Sequence, residues 1–142
     1  MRAVLDTNVI LDALQHREPF ASDAERIFLL AANNRAACCI TAKSATDIYY
    51  LTHRLTHSDK ETRAILNKLF SLFEVIDTAG IDCRRALPSA VSDYEDAVLT
   101  ESAARIEADC VVTRNIKDFI KAPLPIMTPS DFIRAVEETE MK

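Results

Sequence analysis

The chain has 142 residues, 17 Lys and Arg against 22 Asp and Glu, and 49% hydrophobic content, the make-up of a globular protein forming one domain over residues 1–142. Its single glycine, Gly80, excludes Gly-rich phosphate loops and the strained nucleophile elbow, each of which needs at least two glycines at fixed spacing. The longest apolar runs, Ile27 to Ala32 and Ala36 to Ile40, fall far short of the roughly 20 residues that span a bilayer, and Asp6 interrupts the N-terminus before a leader could form, so the expected setting is cytoplasmic with no membrane association.

Short apolar runs alternate with longer segments of helical period, the pattern of a parallel sheet with crossover helices. Strands are expected at 2–5, 36–40, 73–77, 110–113 and 125–127, and helices at 7–15, 20–33, 43–56, 59–71, 79–88, 93–108 and 130–139. Asn33-Asn34 marks a turn before the second strand. The fold class is therefore α/β, with a roughly five-stranded parallel sheet between helical layers. Three helix starts place an acid three residues after Ser or Thr: Ser44 to Asp47, Ser92 to Glu95 and Thr128 to Asp131. Cys38, Cys39, Cys83 and Cys110 form no C-x2-C pair and have no histidine at metal-ligand spacing, so buried reduced thiols are expected rather than a zinc site. Tyr49 and Tyr50, with Leu51 and Leu55, are expected to pack the core on an amphipathic helix rather than to stack nucleobases. The stretches near 20–33 and 59–71 are too apolar for free surface, and sequence does not apportion them between core, a dimer contact and a partner groove.

The chemistry concentrates where strands end. Asp6 directly follows the first strand and opens the first helix, at the sheet edge where open α/β folds bind ligands. Asp118 lies a few residues past the fourth strand, on the same edge if the two run parallel, while Asp93 and Asp96 share a face of the preceding helix. Asp47 falls in the first turn of the helix after the second strand. A cap or dipole contact is worth about 1 kcal/mol, whereas two carboxylates held ~4 Å apart repel by roughly 4 kcal/mol at an effective dielectric of 20. Gathering several at one edge is tolerable only around a divalent cation, and an oxygen-only donor set favours Mg²⁺ or Mn²⁺. Asp12, Asp23, Asp59, Asp77, Asp82, Asp109 and Asp131 are assigned cap or dipole roles instead.

Three blocks, Asp6-Thr7-Asn8-Val9-Ile10-Leu11-Asp12, Ser92-Asp93-Tyr94-Glu95-Asp96-Ala97-Val98 and Val111-Val112-Thr113-Arg114-Asn115-Ile116-Lys117-Asp118-Phe119, together resemble the PIN-domain ribonucleases, in particular VapC-type toxins. The closing Thr128-Pro129-Ser130-Asp131-Phe132 is similar to that family too. The resemblance implies a three-layer α/β/α fold and a Mg²⁺- or Mn²⁺-dependent endoribonuclease, the toxin of a toxin–antitoxin pair, with a protein antitoxin and a homodimeric state. It places catalytic acids on Asp6, Asp47, Asp96 and Asp118, metal ligands on Asp6, Asp96 and Asp118 with Asp93 beside them, and substrate contacts on Asn8, Ser44, Thr113, Arg114 and Asn115. Asp47 departs from the glutamate common at its position. Setting aside Asp6, Asp47, Asp93, Asp96 and Asp118 leaves acids and bases equal in number, so the net charge of −5 is formally the charge of this site. The competing reading is a PIN-like binding module without catalysis. A phosphoacceptor receiver would need an acid pair at the first strand, where this chain supplies only Asp6, and a phosphatase with Asp6 as nucleophile would need a second aspartate where Asn8 stands.

Overall fold

A computed structural model describes residues 1–141. The elements run β1 (Arg2–Leu5), α1 (Thr7–Leu14), α2 (Ala21–Ala32), β2 (Ala37–Thr41), α3 (Ala42–Thr56), α4 (Asp59–Leu72), β3 (Glu74–Ile76), α5 (Gly80–Ala86), α6 (Tyr94–Arg105), β4 (Cys110–Val112), a 3-10 turn (Ile116–Phe119), β5 (Ile126–Met127) and α7 (Pro129–Glu140). All pairings are parallel and the strand order is β3-β2-β1-β4-β5.

The central strands are apolar on both faces because both faces are covered. Ala3 and Leu5 of β1 join Cys38, Ile40, Cys110 and Val112 in a core that takes Val9, Ile10, Ile27 and Phe132 from the helices of one layer. Val4 joins Cys39 and Val111 in a second core, against Leu99, Ala103 and Phe119 on the other side. Side chains that alternate across a strand thus feed two cores, the three-layer arrangement expected from sequence. Among the described residues, no helix is long and apolar enough to cross a membrane.

Two expected helix starts move. Before α3 the side chain that accepts the first-turn N–H is Thr41, the last residue of β2, leaving Ser44 inside the first turn; before α6 it is Asp93 rather than Ser92. In both cases the residue closing the extended segment is itself a good cap, so the helix begins where the extended backbone ends. The third start holds: Thr128 accepts from the Asp131 N–H, with Pro129 at the first helical position. The 3-10 turn has no periodic sequence signal. Cys38, Cys39 and Cys110 are buried, Cys83 is partly so, and all four are free thiols; burial pushes Cys38 up to about 12 and Cys110 up to about 11, which keeps them protonated and inert.

Asp82 takes the expected cap role, accepting from the N-cap backbone of α5, but adds a buried ion pair to it, whereas Asp12 lies inside α1 and caps nothing. Asp12 is 2% exposed and takes Arg114 Nε at 2.8 Å, with Arg17 at 3.8 Å. Asp82 is fully buried, accepting from Arg105 Nε at 2.9 Å, from the Ser102 hydroxyl at 2.8 Å and from the Ala79 N–H at 2.8 Å. Each is the acid of a buried ion pair whose partner lies far along the chain, a pairing that local sequence does not reveal.

Candidate active site

The chain begins in the middle of the sheet, runs outward through β2 and β3, and returns to β4 on the other side of β1. The gap above β1 and β4 is therefore the topological switch point, where loops diverge and leave a crevice. Asp6 sits at that point, with β1 fixing its backbone; its N–H bonds to the Val112 carbonyl of β4. It occupies the N-cap position of α1, yet its side chain makes no capping hydrogen bond. Its Oδ2 instead accepts from the hydroxyl of Thr113 at 2.9 Å, and Thr113 Oγ1 accepts in turn from the Asn115 N–H at 3.1 Å. This relay folds the exit of β4 toward the 3-10 turn that carries Asp118. Burial pushes the Asp6 carboxyl above its ordinary range, and the Thr113 hydroxyl opposes that shift.

Asp96 stands in the first turn of α6, its N–H donating to Asp93 Oδ1 at 3.0 Å. A carboxylate there ordinarily gains from the helix dipole. Here its acidity moves the other way, up to about 7, first through burial and then through the negative charges of Asp6, Asp93, Asp118 and Glu95. Burial and the crowding of like charge together therefore outweigh the dipole.

A cleft of about 440 Å³ is lined by Asp6, Asn8, Asp47, Asp93, Asp96, Asn115 and Asp118, so seven of the residues singled out from sequence border one space. Ser44 lines a smaller adjoining hollow of about 200 Å³ that also reaches Asp6, Asp47 and Asp96. Its hydroxyl accepts from Thr7 at 2.9 Å and Thr41 at 3.1 Å, tying α3 to α1. Thr113 is fully buried behind Asp6. Arg114 turns away: its guanidinium pairs with Asp12 and lies 4.2 Å from the centre of the Phe20 ring. Asp47 is paired with Lys43 Nζ at 2.5 Å, and the same ammonium is 3.4 Å from Glu95. Lys43, Glu95, Tyr50 and Arg54 were not assigned to the site from sequence. The Lys43–Asp47 pair was legible as an i,i+4 couple on one helix face; the other three depend on how α3 and α6 face each other.

The ligating atoms around the cleft are oxygens, and the charge of its six acids is only partly balanced by Lys43 and Arg54, which is the chemistry of a hard divalent cation. Among the described residues, no three His, Cys, Asp or Glu side chains are already drawn together as a cation site. The donor set fits such an ion in kind, with the carboxylates held apart around the cleft.

Among curated proteins none matches this sequence. Solved structures with similar folds include VapBC2 from Rickettsia felis bound to a DNA fragment from its promoter, 21% identical, with a TM-score of 0.66 over 90% of this chain and 98% of that one. A toxin–antitoxin complex from Klebsiella pneumoniae is 22% identical, with a TM-score of 0.64 over 89% and 97%. VapBC-1 from nontypeable Haemophilus influenzae is 16% identical, with a TM-score of 0.67 over 92% and 99%. A PIN-domain family model matches residues 2–117, the stretch that carries every acid of the cleft except Asp118. The chain therefore belongs to the PIN-domain family.

Proposed function

We propose that the protein is a divalent-metal-dependent endoribonuclease, the toxin of a toxin–antitoxin pair. The observation that carries this reading is that Asp6, Asp47, Asp93, Asp96 and Asp118 border one cleft at the sheet edge, where burial, with the neighbouring negative charges, raises Asp96 to about 7. Acids needed only as caps have no reason to border one cleft at the same sheet edge. Asp6, Asp96 and Asp118, with Asp93 adjacent, are the residues that would hold Mg²⁺ or Mn²⁺. Bound there, the ion would act as a Lewis acid on phosphate oxygens and lower the pKa of a water.

The chain's own groups have separable tasks. Thr113 holds Asp6 Oδ2 in one orientation and leaves its other oxygen free of that bond. Asn8 and Asn115 offer amide groups to a substrate phosphate at the edge of the cleft. Arg114 serves the site indirectly, as a positive charge favouring ionised Asp6 and as the anchor of the β4 exit on Asp12. Asp47 is partly neutralised by Lys43, which suits the orienting of water more than principal ligation. The partners in this reading are RNA, a protein antitoxin and a second copy of the chain, with exposed Leu29, Phe70 and Leu87 supplying apolar surface for the protein contacts. The setting is the cytoplasm.

RNA is a polyanion and the cleft's own residues are predominantly acidic, so binding must follow charge reversal by the cation. Labelled RNA titrated with EDTA-treated protein is expected to show no measurable binding, and binding is expected to appear on adding Mn²⁺; equal affinity in both conditions would refute the reading. Protons compete with metal for Asp96, so Mn²⁺ affinity should fall as pH is lowered through about 7, a trend calorimetry at several pH values would register. Thr113→Val removes the donor to a buried carboxylate and is expected to weaken Mn²⁺ binding by roughly 10–100-fold, as loss of a ligand-orienting contact does elsewhere. Asp47→Asn is expected to cost less than that, since its charge is already offset.

A further inference from the structure

α3 presents Asp47, Tyr50, Leu51 and Arg54 to the cleft, residues spaced by three, four and seven positions along one helix face. Tyr50 was expected in the core; it is instead 66% exposed. Its neighbour Tyr49 meets it edge-on, with ring centres 5.4 Å apart and planes at 89°. Tyr49 is itself pinned, its hydroxyl bonded to Asp59 and its ring stacked on His53 at 5.7 Å. Tyr50 is thus braced from one side by an anchored ring while most of its surface meets solvent. Arg54, one turn further along, is exposed and, among the described residues, has no ion pair or side-chain hydrogen bond. This contrasts with Arg2, Arg17, Arg26, Arg35, Arg63 and Arg105, all bound to acids.

We propose that Tyr50 and Arg54 form a nucleotide subsite beside the carboxylate cleft, where Tyr50 stacks on an unpaired base and Arg54 holds the adjoining phosphate. This deepens the nuclease reading and rests on it. A free aromatic face with a free guanidinium one turn away is the pairing that binds single strands, because stacking needs an unstacked base and the cation needs a backbone phosphate. A duplex buries its base faces, so the subsite selects single-stranded segments. Tyr50 also borders a groove of about 720 Å³ with Tyr49, Leu66 and Phe70, a surface that suits a protein segment. The unpaired Arg54 and the continuity with the acidic cleft favour RNA as the occupant of the Tyr50–Arg54 face.

The test uses the full chain and a labelled, randomised 12-nucleotide RNA, titrated in Ca²⁺ by fluorescence anisotropy, with cleavage of the same RNA followed in Mn²⁺. Tyr50→Ala is expected to weaken binding about tenfold or more, and Tyr50→Phe to restore it, since the ring rather than the hydroxyl stacks. Arg54→Gln is expected to weaken binding and to reduce the slope of log affinity against log salt by about 0.7, the loss of one phosphate contact on a single strand. An excess of double-stranded competitor should not displace the probe. If wild-type protein cleaves in Mn²⁺ while Tyr50→Ala binds and cleaves as wild type, the subsite is overturned and Tyr50 belongs to a protein-facing surface, with the nuclease reading intact. If wild-type protein neither binds nor cleaves, both fall.

Discussion

Asp96→Asn is expected to abolish RNA cleavage and, in the same variant, to raise the melting temperature of the metal-free protein at pH 7.5. The two effects have one cause. Asp96 carries a carboxyl raised to about 7 in the folded state, against 3.8 for an unhindered aspartate. The folded protein therefore holds a proton that the unfolded chain releases, and the stability linked to this group is complete below about pH 3.8 and lost as pH rises through about 7. An amide of the same shape carries no charge to be desolvated by burial or repelled by Asp6, Asp93, Asp118 and Glu95, so it removes that penalty at pH 7.5. It also removes the proposed metal ligand, and a loss of about 3 kcal/mol in transition-state stabilisation corresponds to roughly 100-fold in rate. Thermal melts of both proteins at pH 5 and 7.5, with EDTA, are expected to show the gain shrinking at the lower pH. A variant that lost activity and stability together would mark Asp96 as a structural residue instead.

Asp12→Ala is expected to destabilise the protein by about 3–5 kcal/mol, the range for breaking a buried ion pair by deleting one partner. Asp12 is 2% exposed and meets two guanidiniums, while the Arg114 and Arg17 side chains are 23% and 34% exposed. Because both arginines can recover some hydration, the lower end of the range applies. The loss also frees the β4 exit, which carries Thr113, Asn115 and Asp118, from its tether on α1, so activity should fall in the surviving folded fraction. Urea unfolding with an unchanged m-value would give the energy directly; a loss under about 1 kcal/mol would show that Asp12 contributes no more than a helix-end contact.

The strands and helices were legible because β1, β2 and β4 are short apolar runs buried on both faces and the helices between them carry an apolar stripe. Asp6 was legible for a local reason: a polar residue ending such a strand sits at the sheet edge whatever the rest of the chain does. Asp12 was not, because its partner Arg114 lies 102 positions away and only the pairing of β1 with β4 brings them together. Tyr50 shows the other limit. Ile48 and Thr52 fix the inward face of α3, which turns Tyr50 toward solvent, and amphipathic period alone did not separate a Tyr on the core stripe from one at its margin. Lys43 and Glu95 line the cleft as consequences of helix placement: the spacing of Lys43 and Asp47 shows that pair, but only the packing of α3 against α6 brings Glu95 to the same ammonium.

Uptake of a hard divalent cation through Asp6 separates a nuclease from a binding module of the same fold. Isothermal titration of Mn²⁺ into the EDTA-stripped, dialysed protein at pH 7.5, run beside Asp6→Asn, measures that directly. Saturable uptake by the wild-type chain with release of protons, lost in Asp6→Asn, is the predicted result. No heat of binding in the wild type, or the same uptake in Asp6→Asn, would contradict it.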